Sequence, residues 1–312
     1  VPQQRPFKQV DVFTAQALRG NPLAVVLDGS GLSDAQMQDF ARWTNLSETT
    51  FVLPPSATAA AQGADYQVRI FTPGGELPFA GHPTLGTCHA WLEAGGTPRS
   101  ATGIVQECKV GLIQIRRDSG RPAFAAPALQ RSNPSPALLA QVAAALGLRS
   151  RHIVAAQVLD NGPVWMGLLL DSLSTVLQLQ PDHLALKNLG QKVGVAFVEH
   201  AQAAPTLIAR SNREARAFGA RSAGDAAADD CTTLEVRAFA APMGVLEDPV
   251  TGSLNASLAQ WLIADGHAPT CYVAHQGTCI GRDGRVHILR DADDQVWVGG
   301  DSVTCITGTV LL

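Results

Sequence analysis

Four polar residues stand at turns where their side chains could do chemistry. Glu48 lies in Asn45-Leu46-Ser47-Glu48-Thr49-Thr50-Phe51, between a helical pattern and an apolar, β-branched run. A carboxyl at the mouth of a buried strand loses solvation, and its pKa rises toward the range of a general acid or base. A solvated turn glutamate is the plainer alternative. His82 precedes Pro83 at a helix start, where it could hold a substrate carboxylate or shuttle a proton, or simply cap the helix. Asp248 and Ser253 flank a second turn, Asp248-Pro249-Val250-Thr251-Gly252-Ser253. An aspartate before proline often serves only its turn, and a serine near a helix start is often a cap.

These residues sit in two segments that look like one piece of structure used twice. Arg69-Ile70-Phe71 is followed by Gly81-His82-Pro83 and then Trp91-Leu92. Arg237-Ala238-Phe239 is followed by Asp248 to Ser253 and then Trp261-Leu262. Each copy reads as strand, turn, helix, with polar residues at the turn. A helix N-terminus exposes unpaired N–H groups and favours negative charge. Two such turns facing each other would form a cleft suited to an anionic ligand.

Several elements must hold those turns. Phe7 to Phe13 alternates apolar and polar like a half-buried strand, and Asn21 to Leu27 reads as a more buried one. Ser33-Asp34-Ala35-Gln36 is a capping box opening a helix that presents Met37, Phe40, Ala41 and Thr44 on one face and ends at Asn45. Strands are expected at Thr49–Leu53 and Tyr66–Thr72. The helix after Gly81 should carry proline at its first position and a stripe of Leu85, Cys88 and Leu92, ending at Gly95-Gly96. Pro122 to Pro136 reads as an inter-domain connection and Pro136 to Leu146 as a helix. Further strands are expected at Val158–Leu170, Val193–Glu199 and Thr206–Arg210, with an acidic loop at Ala223–Asp230. Thr251 to Ala264 is the second long helix, followed by a β-rich tail. Strands mixed with single helices, without a strict βαβ rhythm, favour an α+β fold with mostly antiparallel sheets. The repeat favours two lobes, 1–125 and 126–312, with room for the final strand to return to the first.

Composition narrows the functional classes. Of 312 residues, 46% are hydrophobic and 16% charged, which suits a packed globular protein. A net charge of −4 and no Lys/Arg run argue against nucleic-acid binding. The longest apolar run, near Val164–Leu170, is too short to span a bilayer, and Val1–Val10 shows no signal-peptide pattern. Cysteines at 88, 108, 231, 271, 279 and 305 form no CxxC pair and read as reduced thiols, so a cytoplasmic location is expected. There is no dinucleotide, P-loop, zincin or nucleophile-elbow motif, and no cofactor or metal is called for.

At this point GNPLAVVL (20–27), NLSETTFV (45–52), RIFTP (69–73) with ELPFAGHPTLG (76–86), DPVTGS (248–253) and QGTCIGR (276–282) resemble the phenazine-biosynthesis PhzF-like family, nearly end to end and in order. The resemblance implies a diaminopimelate epimerase-like fold, with two lobes each wrapping a curved sheet around a central helix. It implies a cofactor-independent isomerase that moves a proton on a small carboxylate-bearing substrate. Carried over residue by residue, the acid/base glutamate falls on Glu48, the substrate-binding histidine on His82, and the aspartate and serine, which orient or relay, on Asp248 and Ser253. Gly81 and Gly252 would let backbone approach a substrate carboxylate. A homodimer is implied as well. Related racemases use a cysteine at each helix N-terminus, and neither turn of this chain has one, so a two-thiol mechanism is disfavoured. A non-thiol epimerase and a non-catalytic binding protein remain as alternatives.

Overall fold

The computed structural model describes residues 2–101, 103–117, 120–199 and 233–312. The strand expected at Thr206–Arg210 and the acidic loop at Ala223–Asp230 lie outside the described residues.

The first part of the chain builds one unit. β1 (Gln4–Val12) and β2 (Asn21–Val26) are antiparallel. α1 (Asp34–Thr44) then crosses to β3 (Glu48–Leu53), which lies parallel to β2. Ser33 and Gln36 form the expected capping box, and Asn45 closes the helix in the left-handed region at φ 52°. After α2 (Ala57–Ala61), β4 (Tyr66–Thr72) runs antiparallel to β3 and turns back into β5 (Gly75–Leu77). The central helix α3 (Gly81–Glu93) follows. β6 (Gly103–Cys108) is parallel to β4, and β7 (Gly111–Arg116) and β8 (Ala123–Ala125) extend the sheet antiparallel.

The same sequence of pairings then recurs. β9 (Gln130–Ser132) and α4 (Pro136–Ala145) lead into the antiparallel pair β10 (Ile153–Asp160) and β11 (Val164–Leu170). α5 (Leu173–Gln178) and α6 (His183–Asn188) cross to β12 (Val193–Glu199), parallel to β11. β13 (Thr233–Ala240) runs antiparallel to β12 and pairs with β14 (Val245–Asp248). The second central helix, α7 (Gly252–Ala264), precedes β15 (Cys271–Gln276), which is parallel to β13. β16 (Gly284–Arg290), β17 (Val296–Gly299) and β18 (Ser302–Leu311) complete the described chain. Every pairing from β1 to β8 thus has a counterpart from β10 to β17.

Among the described residues, three strand pairings join the two copies. β8 pairs with β17. β9, which follows the first copy, pairs with β10 of the second, and β18, which follows the second, pairs with β1 of the first. The last strand after each copy therefore edges the other copy.

Side-chain chemistry repeats as well. Arg69 on β4 donates twice to Glu76 on β5, at 2.8 Å and 2.8 Å, and lies over Phe71. Arg237 on β13 donates twice to Glu247 on β14, at 3.0 Å and 2.8 Å, and lies over Phe239. The Arg-x-Phe of the sequence repeat is thus a bidentate clamp across a hairpin.

Some expectations need correction. Val158–Leu170 is not one strand: Asn161-Gly162-Pro163 turns the chain between β10 and β11, and Gly162 takes φ 113°. Pro83 is the third helical residue, not the first, because Gly81 and His82 are already helical. Its missing N–H still falls in the first turn, where no partner is needed. Residues 81 to 88 are all buried and Leu92 only half-buried, so α3 has no single stripe; sheet surrounds it. The connection Pro122–Pro136 carries two short paired strands. One continuous core takes in Leu85 and Cys88 from α3 together with Leu254, Leu258 and Trp261 from α7. No described helix is long and apolar enough to cross a membrane.

Candidate active site

Glu48 is the first residue of β3, set opposite Leu23 by the parallel pairing with β2. His82 is the second residue of α3 and 5% exposed. Glu48 Oε2 lies 3.3 Å from His82 Nδ1. Both Glu48 Oε2 and His82 Nε2 are buried without a hydrogen-bond partner. Buried polar atoms are nearly always partnered, so an orphan on each of two touching side chains suits a place where a ligand would complete the bonding.

Across from them, Asp248 ends β14. Its carboxyl accepts from Asn21 Nδ2 at 3.2 Å and from Thr251 Oγ1 at 2.5 Å. Ser253 is the second residue of α7, and its hydroxyl accepts from the Trp165 indole N–H at 3.2 Å. Its carbonyl accepts from Asn161 Nδ2 at 3.0 Å, so residues of the β10–β11 hairpin hold it from two sides.

The two central helices meet end to end. A Cβ on Gly252 would stand 3.1 Å from the His82 nitrogen and 3.2 Å from Gly81 Cα. A Cβ on Gly81 would stand 2.4 Å from the Phe124 ring. The absent side chains thus point at protein: Gly252 admits the facing helix end, and Gly81 admits Phe124. The helix caps, Ala80 and Thr251, make no side-chain cap hydrogen bond. Two uncapped helix N-termini brought together repel unless an anion lies between or beside them.

Burial sets the charges. It pushes the Glu48 carboxyl up to about 8, with the charge of Asp248 adding to the effect. It pushes Asp248 up to about 6, against the hydrogen bonds from Thr251 and Asn21. It pushes His82 down to about 3, against hydrogen bonding to the Pro22 backbone. Near neutral pH Glu48 is therefore protonated, His82 neutral and Asp248 ionised. The Glu48–His82 contact has ion-pair geometry, but desolvation makes it a contact between neutral groups. Cys88 is fully buried and its thiol is pushed up to about 12, which denies it a thiolate role.

Glu48 binds its proton more tightly folded than unfolded, so its contribution is full below pH 4.5 and lost as pH rises through 8. Glu48→Gln should therefore gain stability relative to the parent between pH 5 and pH 9 in urea unfolding. A stability difference that stays flat over that range would contradict the buried, raised carboxyl.

The residues expected from sequence thus lie around one junction. Glu48 touches His82, the charge of Asp248 reaches Glu48, and Ser253 follows the glycine that abuts His82. Sequence reasoning missed Asn21, Thr251, Gln276 and Trp165 as site residues. Asn21, Thr251 and Gln276 lie inside the quoted runs, and the available signal was a polar residue within a segment that otherwise reads as buried. An apolar groove of about 900 Å³ lies elsewhere, between α1 and β18, lined in part by Phe40, Trp43 and Val310.

Known proteins resemble this chain in sequence and in fold. A family model described as phenazine biosynthesis-like protein matches residues 10–308. A Schizosaccharomyces pombe protein named antisense-enhancing sequence 1 is 33% identical over 98% of both chains. The trans-2,3-dihydro-3-hydroxyanthranilate isomerase of Pseudomonas fluorescens is 32% identical, over 97% of this chain and 98% of its own. The crystal structure of a Bacillus anthracis PhzF-family protein superposes with a TM-score of 0.77 at 21% identity, covering 99% of this chain and 100% of that one. A match spanning nearly the whole chain, over a duplicated α+β fold whose paired turns meet at one junction, places this protein in the phenazine biosynthesis-like (PhzC-PhzF) family.

Proposed function

We propose that the protein is a cofactor-independent isomerase that moves a proton within a small carboxylate-bearing substrate. Residues 1–125 and 126–312 form the two lobes in this reading, with the reaction between them. The observation that carries it is the pair of orphaned atoms, Glu48 Oε2 and His82 Nε2, beside two uncapped helix N-termini. The free N–H groups would bind the substrate carboxylate and accept charge building up on it. Glu48, mostly protonated near neutral pH but with an ionised fraction, would in that ionised form take the proton from one carbon and return it at another, regenerating the carboxylate. Neutral His82 can accept or donate one hydrogen bond, Asp248 can only accept while ionised, and Ser253 orients. Of the two relatives named above, one is named for a reaction and one is not, so the site's chemistry sets the substrate class here.

The test is an assay with trans-2,3-dihydro-3-hydroxyanthranilate and related small unsaturated carboxylates, following ultraviolet absorbance and ¹H NMR. A product with a shifted double bond supports the reading. Inversion at a stereocentre with no shift would establish the non-thiol epimerase instead, and binding without turnover a carrier protein.

We also infer a homodimer. Among the described residues β18 pairs only with β1, so its outer edge is open, and the 900 Å³ groove with 81%-exposed Trp43 lies beside it. A second copy would cover both. Sedimentation at micromolar concentration should give twice the chain mass, and Trp43→Asp should lower it. A monomeric parent protein excludes the dimer.

A further inference from the structure

Thr251 occupies the cap position of α7, where a threonine hydroxyl ordinarily accepts from the helix's own N–H groups. Here it does not. Its Oγ1 lies 2.5 Å from Asp248 Oδ2 and 2.9 Å from Gln276 Nε2.

The direction of each hydrogen bond in this cluster is forced. The Thr251 backbone N–H can only donate, and it meets Gln276 Oε1 at 3.0 Å. Asn255 Nδ2 donates to the same oxygen at 2.8 Å, and to the Thr251 carbonyl at 2.9 Å. The Gln276 amide therefore has one permissible orientation, with its nitrogen facing Thr251 Oγ1 and the Asp248 carbonyl, the latter at 3.0 Å. That nitrogen can only donate. The Thr251 hydroxyl accepts from it, and its single hydrogen is left for Asp248. On the other side Asn21 Nδ2 donates to the Val250 carbonyl at 2.9 Å and to Asp248 Oδ1. Gln276 is 1% exposed, Asn21 fully buried and Thr251 6% exposed, so water does not compete for these bonds.

We propose that Thr251, oriented by Gln276, is a positioning residue that directs its hydroxyl hydrogen at Asp248 and so holds that carboxyl as an acceptor, while leaving the α7 N-terminus free for the substrate. This deepens the active-site reading above and takes its catalytic meaning from it, although the donor relay itself can be tested without a substrate. The relay joins distant parts of the chain: Asn21 begins β2, Asp248 ends β14, and Gln276 ends β15. Its effect on protonation involves few charges. Of the titratable groups around Asp248, Glu48 comes from β3 and His82 of α3 stands beside Glu48. β2, α7 and β15 offer the neutral Asn21, Thr251 and Gln276. An ionised Asp248 raises the Glu48 carboxyl, so the relay acts on Glu48 at one remove.

The test is ¹³C-carboxyl NMR titration of the full chain, with the Asp248 signal assigned by its loss in Asp248→Asn. Thr251→Val removes the hydroxyl at nearly constant shape and should raise the apparent Asp248 pKa by about one unit or more. The Glu48 signal should move in the opposite direction. Thr251→Ser restores the donor and should titrate within a few tenths of a unit of the parent. A Thr251→Val titration that overlays the parent, or a Thr251→Ser shift as large as that of valine, overturns the proposal, the second by showing that packing is responsible. Should the valine variant fail to fold, a neutron structure of the unaltered protein decides. A deuteron between Thr251 Oγ1 and Asp248 Oδ2 supports the relay, and one on the Gln276 side of the hydroxyl overturns it. Either outcome stands whether or not Glu48 proves to carry the proton.

Discussion

Glu48→Gln is expected to lower turnover by about two to four orders of magnitude while leaving fold and ligand binding in place. Glutamine keeps the shape and most of the hydrogen bonding of a protonated glutamic acid, which is the form burial favours at neutral pH. It lacks only the proton that can leave. Ground-state binding at the helix N-termini should survive, so the loss should fall on kcat rather than KM. The measurement is steady-state kinetics on whichever carboxylate the assay identifies, together with a binding isotherm for the variant. A variant that turns over near the parent rate removes Glu48 from the reaction and leaves His82 or Asp248 as the base. Product formed by the parent enzyme in D₂O should carry deuterium at the reprotonated carbon if the carried proton exchanges with solvent. Retention of the original hydrogen would mean that a shielded carboxyl returns the same proton, so the label reports shielding and the variant reports identity.

Arg237→Met is expected to cost on the order of 3–5 kcal/mol of stability, the usual consequence of stripping one partner from a buried ion pair. Arg237 and Glu247 have side chains only 6% and 10% exposed. Removing the guanidinium leaves the Glu247 carboxylate uncompensated and takes a donor from the carbonyls of Val176 and Leu179. The counterpart in the first copy is wetter. Arg69 is 21% exposed, its second partner Asp34 is 84% exposed, and Lys109 also reaches Glu76. Arg69→Met should therefore cost nearer 1–2 kcal/mol, between the surface and buried cases. Urea midpoints of the two variants give the comparison at constant m-value. Equal losses would show that the repeat preserves energetic weight as well as geometry, against the difference in solvation argued here.

Local signals were the most legible part of the sequence. The capping box at Ser33, the left-handed Asn45 and the strand Tyr66–Thr72 rest on chemistry within a few residues, and the structure shows each as read. The repeat was legible for a related reason: Arg-x-Phe and Trp-Leu are large, distinctive side chains that recur with the hairpin and helix they brace. What the sequence hid was non-local. Glu76 and Glu247 could not be named because a clamp across a hairpin is recognised only once the hairpin's register is known. The β10–β11 turn was missed because apolar residues on both sides of Asn161-Gly162 mask a two-strand pattern as one run. The stripe assigned to α3 failed because periodicity reports which face is buried only when one face is exposed. The four candidate residues were legible through the family resemblance, whereas Thr251 and Gln276 matter through hydrogen-bond directions that no linear pattern encodes.

The exchange of edge strands has a consequence for biogenesis. Gln4 of β1 pairs with Leu311 of β18, so one edge of the first copy is closed by residues synthesised some 300 positions later. During translation the first copy emerges with β1 lacking its outer neighbour. Loop closure on that scale slows folding, and an unpaired strand is a template for association with other chains. The nascent first copy is thus expected to depend on ribosome-proximal shielding until β18 appears. Ribosome-bound intermediates halted before β18 should be cut by protease within β1, and release of the full chain should protect it.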